Sequence, residues 1–238
     1  MTATTSPTAL ITGASRGFGR AAAFELARRG WTLVIDARDA QTLETVARDL
    51  AQKTRVIPIG GDIADPGHRA RLAAAVHDLG RLDAVINNAS TLGTSPLPAI
   101  LAYPLPALED VYRTNVIAPL AILQAVQDDL RAGTRVINIT SDAAVEPYEG
   151  WGGYGSSKAA LEQISAVLAA ENPELRVYWL DPGDMRTDMQ QEAFPGEDIS
   201  DRPPPEERVP ALLRLLDDDL PGGRYVASDL LIPTGATP

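Results

Sequence analysis

The sequence predicts an α/β fold, a doubly wound parallel sheet of about seven strands with helices on both faces. Three observations predict it. Short apolar runs alternate with helical patterns along the chain. The runs are apolar throughout, as strands covered on both faces must be. The first run ends at a glycine-rich turn, residues 13–19, that opens a helix.

The elements follow in order. Residues 8–12 form a strand ending at glycine, and 18–29 a helix with Ala22 and Leu26 on one face. Strand 32–35 leads to helix 42–52, and strand 55–59 to helix 66–79. Strand 82–86 precedes a proline-rich loop, 95–106, and a long helix from about 108 to 131. Strand 136–139, helix 154–170 and strand 176–180 come next. The longest irregular stretch, 184–205, reads as a substrate lid or binding loop, since loops of that length inside a domain are seldom filler. Pro203, Pro204, Pro205 and Glu206 open a helix through 216, and 224–227 is the last strand. Right-handed crossovers make the sheet Rossmann-type. With no internal repeat or linker, residues 1–238 are expected to be a single domain.

Composition narrows the function. The apolar content of 45% allows a sizeable core, and the absence of cysteine excludes disulfides and thiolate metal sites. Only His68 and His77 offer imidazole, both in a polar helical stretch, so no metal site is expected. A net charge of −11 argues against nucleic acid as a partner. Residues 184–219 hold eleven acidic and four basic residues, which reads as a solvated surface or a mouth that repels anions. Residues 1–7 have neither a charged start nor an apolar core and are not expected to be a secretory signal. The apolar run at 116–126 is too short to span a membrane, which needs about 20 residues. A soluble cytoplasmic protein is the default.

Two groups of residues carry chemistry. The turn reads G-x-x-x-G-x-G, after a strand and before a helix. Its glycines allow a tight turn and close backbone approach, and the helix N-terminus favours a pyrophosphate. The second group is Tyr154 and Lys158, four residues apart and so on one helix face. A free tyrosine, with a pKa of about 10, is a poor proton carrier at neutral pH, and a nearby positive charge favours the phenolate. Ser141, 13 residues before the tyrosine, falls at the carboxyl end of the fifth strand, where open α/β sheets place their ligands. Its hydroxyl could hold a carbonyl or alcohol oxygen against the phenol.

These motifs, together with Asp62-Ile63, Asn87-Asn88-Ala89, Asn115 and Pro182-Gly183 followed by Thr187, resemble the short-chain dehydrogenase/reductase family in its compact single-domain branch. The resemblance runs from residue 8 to about 189. It implies an NAD(P)-dependent oxidoreductase that moves a hydride between nicotinamide and a carbonyl or alcohol carbon. Tyr154 would be the proton donor or acceptor, and Lys158 would lower its pKa and bond the nicotinamide ribose. Ser141 would polarise the substrate oxygen, and Asn115, inside the long helix, would support a water relay to the lysine. Gly13, Ser15, Arg16, Gly17, Phe18 and Gly19 would cradle the cofactor. Asp62 and Ile63 would hold the adenine, and Asn88 and Ala89 would line the groove. Ser90 stands where the family usually has glycine. Pro182 and Gly183 would turn the chain, and Thr187 would bond the nicotinamide carboxamide.

The NAD-selecting acid of the family would align with Ala37. Asp36 is one residue early and faces the other way in an extended chain. Arg38 and Arg16 favour NADP, since a guanidinium matches a phosphate. A strand end shifted by one residue would let Asp36 reach the ribose and select NAD. For the substrate, Tyr148 and Trp151 stack on a planar or apolar group, or cover the core or a subunit contact. Met185, Met189 and Phe194 form an apolar lid. The resemblance also implies a homodimer or homotetramer joined through helices 108–131 and 154–170. Two further readings remain: a dinucleotide-sensing regulator without turnover, and an epimerase or dehydratase of the longer branch.

Overall fold

The structure, a computed structural model, describes residues 6–231; residues 1–5 of the N-terminal stretch read above lie outside them. Seven parallel strands form one sheet in the order β3-β2-β1-β4-β5-β6-β7. The strands are β1 Thr8–Ile11, β2 Thr32–Ala37, β3 Val56–Gly60, β4 Ala84–Asn87, β5 Arg135–Ile139, β6 Arg176–Asp181 and β7 Gly223–Val226. The order reverses between β1 and β4, which opens a crevice at their carboxyl ends.

Successive strand side chains point to opposite faces. Ala9, Ile11, Leu33 and Ile35 therefore join one core cluster, with the apolar faces of α1 (Gly17–Arg28), α2 (Ala40–Ala51) and α8 (Val209–Asp217). Leu10, Val34 and Val85 join the other, with Leu72 and Val76 of α3 (Pro66–Leu79) and Ile122 of α5 (Ala118–Ala125). Each such buried Leu, Ile or Val contributes about 1.5–3 kcal/mol.

Local signals set the early helix ends. Asp39 caps α2 by accepting from the Gln41 and Thr42 amides, and Asp65 caps α3 by accepting from Gly67 and His68. Gly80, at φ 65°, ends α3.

Five expectations need correction. The helix read over 108–131 is three pieces: α4 (Leu105–Tyr112), a π-helical turn (Arg113–Ile117) and α5, which stops at Ala125. The physical reason is Pro119, which has no N–H to give the carbonyl of Asn115 four residues earlier. The stretch 184–205 is not wholly irregular, since α7 (Asp188–Ala193) lies within it, capped by the Thr187 hydroxyl. β2 runs on through Asp36 to Ala37. His68 is fully buried rather than on a polar face, whereas His77 is exposed. Helix α6 (Gly152–Glu171) begins two residues before Tyr154.

Candidate active site at the switch point

A cleft of about 530 Å³ lies over the carboxyl ends of β1, β2, β4, β5 and β6. One end is the glycine turn. Gly13 and Gly17 have φ of 68° and 55°, the left-handed region that favours glycine. A Cβ on Gly13 would strike the backbone of Ala89. Thr12 and Asn88 fasten the turn to β4: the Thr12 hydroxyl accepts from the Asn88 and Ala89 amides at 3.0 Å each. The Asn88 side chain donates to the Thr12 carbonyl at 2.9 Å.

Three observations test whether a dinucleotide fits. The glycines leave no side chain over the turn. The N-terminus of α1 has no side-chain cap, unlike α2 and α3, so its first amides remain available to an anion. Arg38 lines the cleft and makes no hydrogen bond or ion pair among the described residues. These residues suit a phosphorylated dinucleotide. Arg16 also lines the cleft but pairs with Asp188 of α7 at 3.1 Å, both side chains being exposed.

The Asp36 carboxylate, at the cleft wall, is held by protein groups. The residue is 1% exposed, its Oδ1 accepts from the Gly13 amide at 2.8 Å, and its Oδ2 lies 3.0 Å from His68 Nε2. Ser15, Phe18, Asp62, Ile63, Ala89, Ser90, Pro182, Gly183 and Thr187 line the cleft as well. Gly19 sits behind it, where a Cβ would collide with Asn88.

At the other end α6 presents Tyr154 and Lys158 on one face, 8% and 2% exposed. Lys158 Nζ donates to the Ile139 carbonyl at 2.8 Å and lies 5.4 Å from the Tyr154 ring centre. Ser141 stands just beyond β5 and caps a 3₁₀ turn, Asp142–Ala144. Its hydroxyl donates to Asp142 Oδ1 at 2.9 Å. Burial pushes the Tyr154 pKa up. Hydrogen bonding with Ser141 draws it down, the Asp181 and Asp142 charges raise it, and hydrogen bonding with Ser90 lowers it. Burial wins, so the expected shift toward neutrality is reversed and the phenol holds its proton. Burial also brings Lys158 down to about 8.

Asn115 is fully buried in the π-helical turn and does not line the cleft. Its Oδ1 accepts from the Ser90 hydroxyl at 3.1 Å and the Thr91 amide at 2.9 Å. Its Nδ2 donates to the Thr91 carbonyl at 2.9 Å and the Ser157 hydroxyl at 3.0 Å. The side chain thus joins the β4 exit to α6 beside Lys158, and its own carbonyl lacks the usual helical donor.

Aromatic groups cover the end of the cleft at Tyr154. The Trp151 ring packs 5.7 Å from Tyr154 and 6.1 Å from Phe194. Met189 packs in the same small cluster, and Met185 leans on the main core. Tyr148 is not in the cleft wall; it sits at the rim, its hydroxyl donating to Asp142 at 3.0 Å.

One feature of the site was missed in the sequence. Arg224 of β7 donates to Glu162 at 3.0 Å, to Asp181 at 2.9 Å and to the Ser141 carbonyl at 3.3 Å. Nothing local marks it, since its partners lie 43 to 83 residues away. Among the described residues no cluster of three or more His, Cys, Asp or Glu could hold a metal, and no helix is long and apolar enough to cross a membrane.

A family model described as short chain dehydrogenase matches residues 7–198. The chain is 35% identical over 197 residues to sepiapterin reductase of Mus musculus, covering 76% of each. A solved short chain dehydrogenase from Salmonella enterica superposes with a TM-score of 0.86 at 30% identity, over 93% of this chain and 96% of that one. An alcohol dehydrogenase from the archaeon Thermococcus sibiricus, complexed with 5-hydroxy-NADP, gives 0.84 at 26% identity, over 93% and 96%.

Proposed function

The chain belongs to the short-chain dehydrogenase/reductase family of oxidoreductases, and on that premise we propose that it reduces a carbonyl group with NADPH, Tyr154 giving the proton. The observation that carries this reading is the buried Tyr154–Lys158 pair beside Ser141, in one cleft with an uncapped helix end and an Arg38 that has no partner among the described residues. The NADP-family ligand of the Thermococcus sibiricus relative supports the choice of cofactor.

When bound, NADPH supplies the hydride. The glycine turn and the α1 amides hold the pyrophosphate, Arg38 the 2′-phosphate, and Asp62 and Ile63 the adenine. Thr187 serves the carboxamide end. Ser141 turns its hydroxyl from Asp142 to the substrate oxygen and polarises it. Tyr154, kept protonated by burial, gives its proton to that oxygen. The Lys158 ammonium then faces a phenolate and stabilises it. The Asn115 carbonyl, left without its usual donor by Pro119, accepts from a water on the path to Lys158. Trp151, Phe194 and Met189 favour a substrate with a planar or apolar body.

We further propose that residues 1–238 act as one unit in the cytoplasm. Exposed Ile117 on the π-helical turn and Val167 on α6 support a homodimer or homotetramer joined through these helices.

Titration with NADPH and NADH, followed by fluorescence, tests the cofactor. NADPH should bind about tenfold tighter, one charge-assisted contact, and Arg38→Ala should erase the difference. Equal affinities in the parent protein would overturn the 2′-phosphate site. Consumption of NADPH with a panel of aldehydes and ketones tests the reaction; binding without turnover would favour a sensor.

A further inference from the structure

We infer that His68 is a positioning residue for the dinucleotide-binding turn: it holds the Asp36 carboxylate that anchors the Gly13 amide, and so sets cofactor affinity from behind the cleft wall. The inference rests on the reading of this cleft as an NADPH site.

The turn is tied to β2 through one residue. The Gly13 amide donates to the Asp36 carboxylate at 2.8 Å, and the Ala14 amide donates to the Asp36 carbonyl at 2.8 Å. Gly13 is the residue in the left-handed region, and an unmet buried amide there would be costly. Asp36 is itself buried, so its second oxygen also needs a donor. His68 Nε2 stands 3.0 Å from it.

The proton on that nitrogen is assigned by a third residue. Arg71 Nη2 lies 3.2 Å from His68 Nδ1, and a guanidinium only donates. Nδ1 must therefore accept, which leaves the proton on Nε2, pointing at Asp36. The same Arg71 nitrogen also donates to the Gly60 carbonyl at 3.2 Å. The ring is locked from two sides. Asp65 accepts from the His68 amide at 3.0 Å, and Gly61 leaves the space the ring fills, since a Cβ there would collide with it. A chain from α3 through β2 thus ends on the first glycine of the turn, while His68 itself lies outside the cleft wall.

The test uses NADPH binding and amide hydrogen exchange of the protein without nucleotide. His68→Leu should weaken NADPH about tenfold and speed exchange at Gly13 and Ala14 about tenfold, with the β5 amides of Val136 to Ile139 unchanged. His68→Gln, whose amide can still donate to Asp36, should recover most of both. A folded His68→Leu protein with parental NADPH affinity and parental Gly13 exchange would overturn the inference, as would equal losses in the Gln and Leu variants.

A double-mutant cycle decides the matter if His68→Leu does not fold. Asp36→Asn turns an acceptor toward His68 into a donor, forcing the ring proton to Nδ1 and against Arg71. NADPH affinity should then fall, and adding Arg71→Met should restore it about fivefold, although Arg71→Met alone changes it less than about twofold. Absence of that rescue would refute the tie. Failure of the parent protein to bind NADPH would instead sink the proposed cofactor, with Gly13 exchange still reporting on His68.

Discussion

The half of the sheet that carries the glycine turn, β1 to α3, and the half that carries Tyr154, β4 to β7, are built from the same strand–helix unit but held by different bonds. In the first half, side chains mostly serve the nearest backbone. Asp39 and Asp65 cap the helices they precede. In the second, polar side chains meet across long separations: Asn87 donates to Asn138, Asn138 to Ser165, and Arg224 to Glu162 and Asp181. The difference teaches that the glycine turn rests largely on backbone shape, with Thr12–Asn88 and Asp36–His68 as its long ties. The surroundings of Tyr154 rest on a side-chain network. The two should be separable by mutation.

The largest expected effect tests that separation directly. Tyr154→Phe should lower turnover about 10³-fold and leave NADPH affinity within about twofold. Parallel losses in both would show that the halves are not independent. Next comes Arg224→Met, which leaves Oδ2 of Asp181, a side chain 5% exposed, without its donor. Urea denaturation should show a loss of about 2–4 kcal/mol, with turnover falling further than NADPH affinity. Lys158→Met should act in the opposite direction on stability. The folded pKa of about 8 lies below the unfolded value of about 10.4, so the cost of burying the ammonium is complete below pH 8. The variant should therefore be more stable than the parent by about 2–3 kcal/mol at pH 7, and the gap should close as pH rises from about 8 to 10.4. Unfolding midpoints across that range check the sign, while turnover is lost. Smallest is Ser90→Gly, which removes one hydroxyl near the phenol and should slow reduction about threefold without moving NADPH affinity.

The same contrast explains what could be read from the chain. Helix 66–79 was legible to the residue because Asp65, Pro66 and Gly80 mark both ends locally. Tyr154 and Lys158 needed only helical spacing. The break at residues 113–117 was hidden because Pro119 lies inside an apolar run that reads as continuous, although its missing N–H is the local signal. Helix α7 is six residues long, too short for periodicity to mark. Strand alternation already turned Asp36 to the other face, but its partner His68, 32 residues away, was hidden, as were the partners of Arg224, further still. Burial of Tyr154 reversed the expected shift, and burial is a property of the whole packing.

Arg224 also orders events in time. A chain made at about 5–20 residues per second delivers Arg224 roughly 4–17 s after Ser141, 83 residues earlier. By then β1 to α3 have long left the ribosome. The nascent protein has its glycine turn well before the chain at Ser141 is steadied, so a late step of its folding is electrostatic, the arrival of one cation among waiting carboxylates.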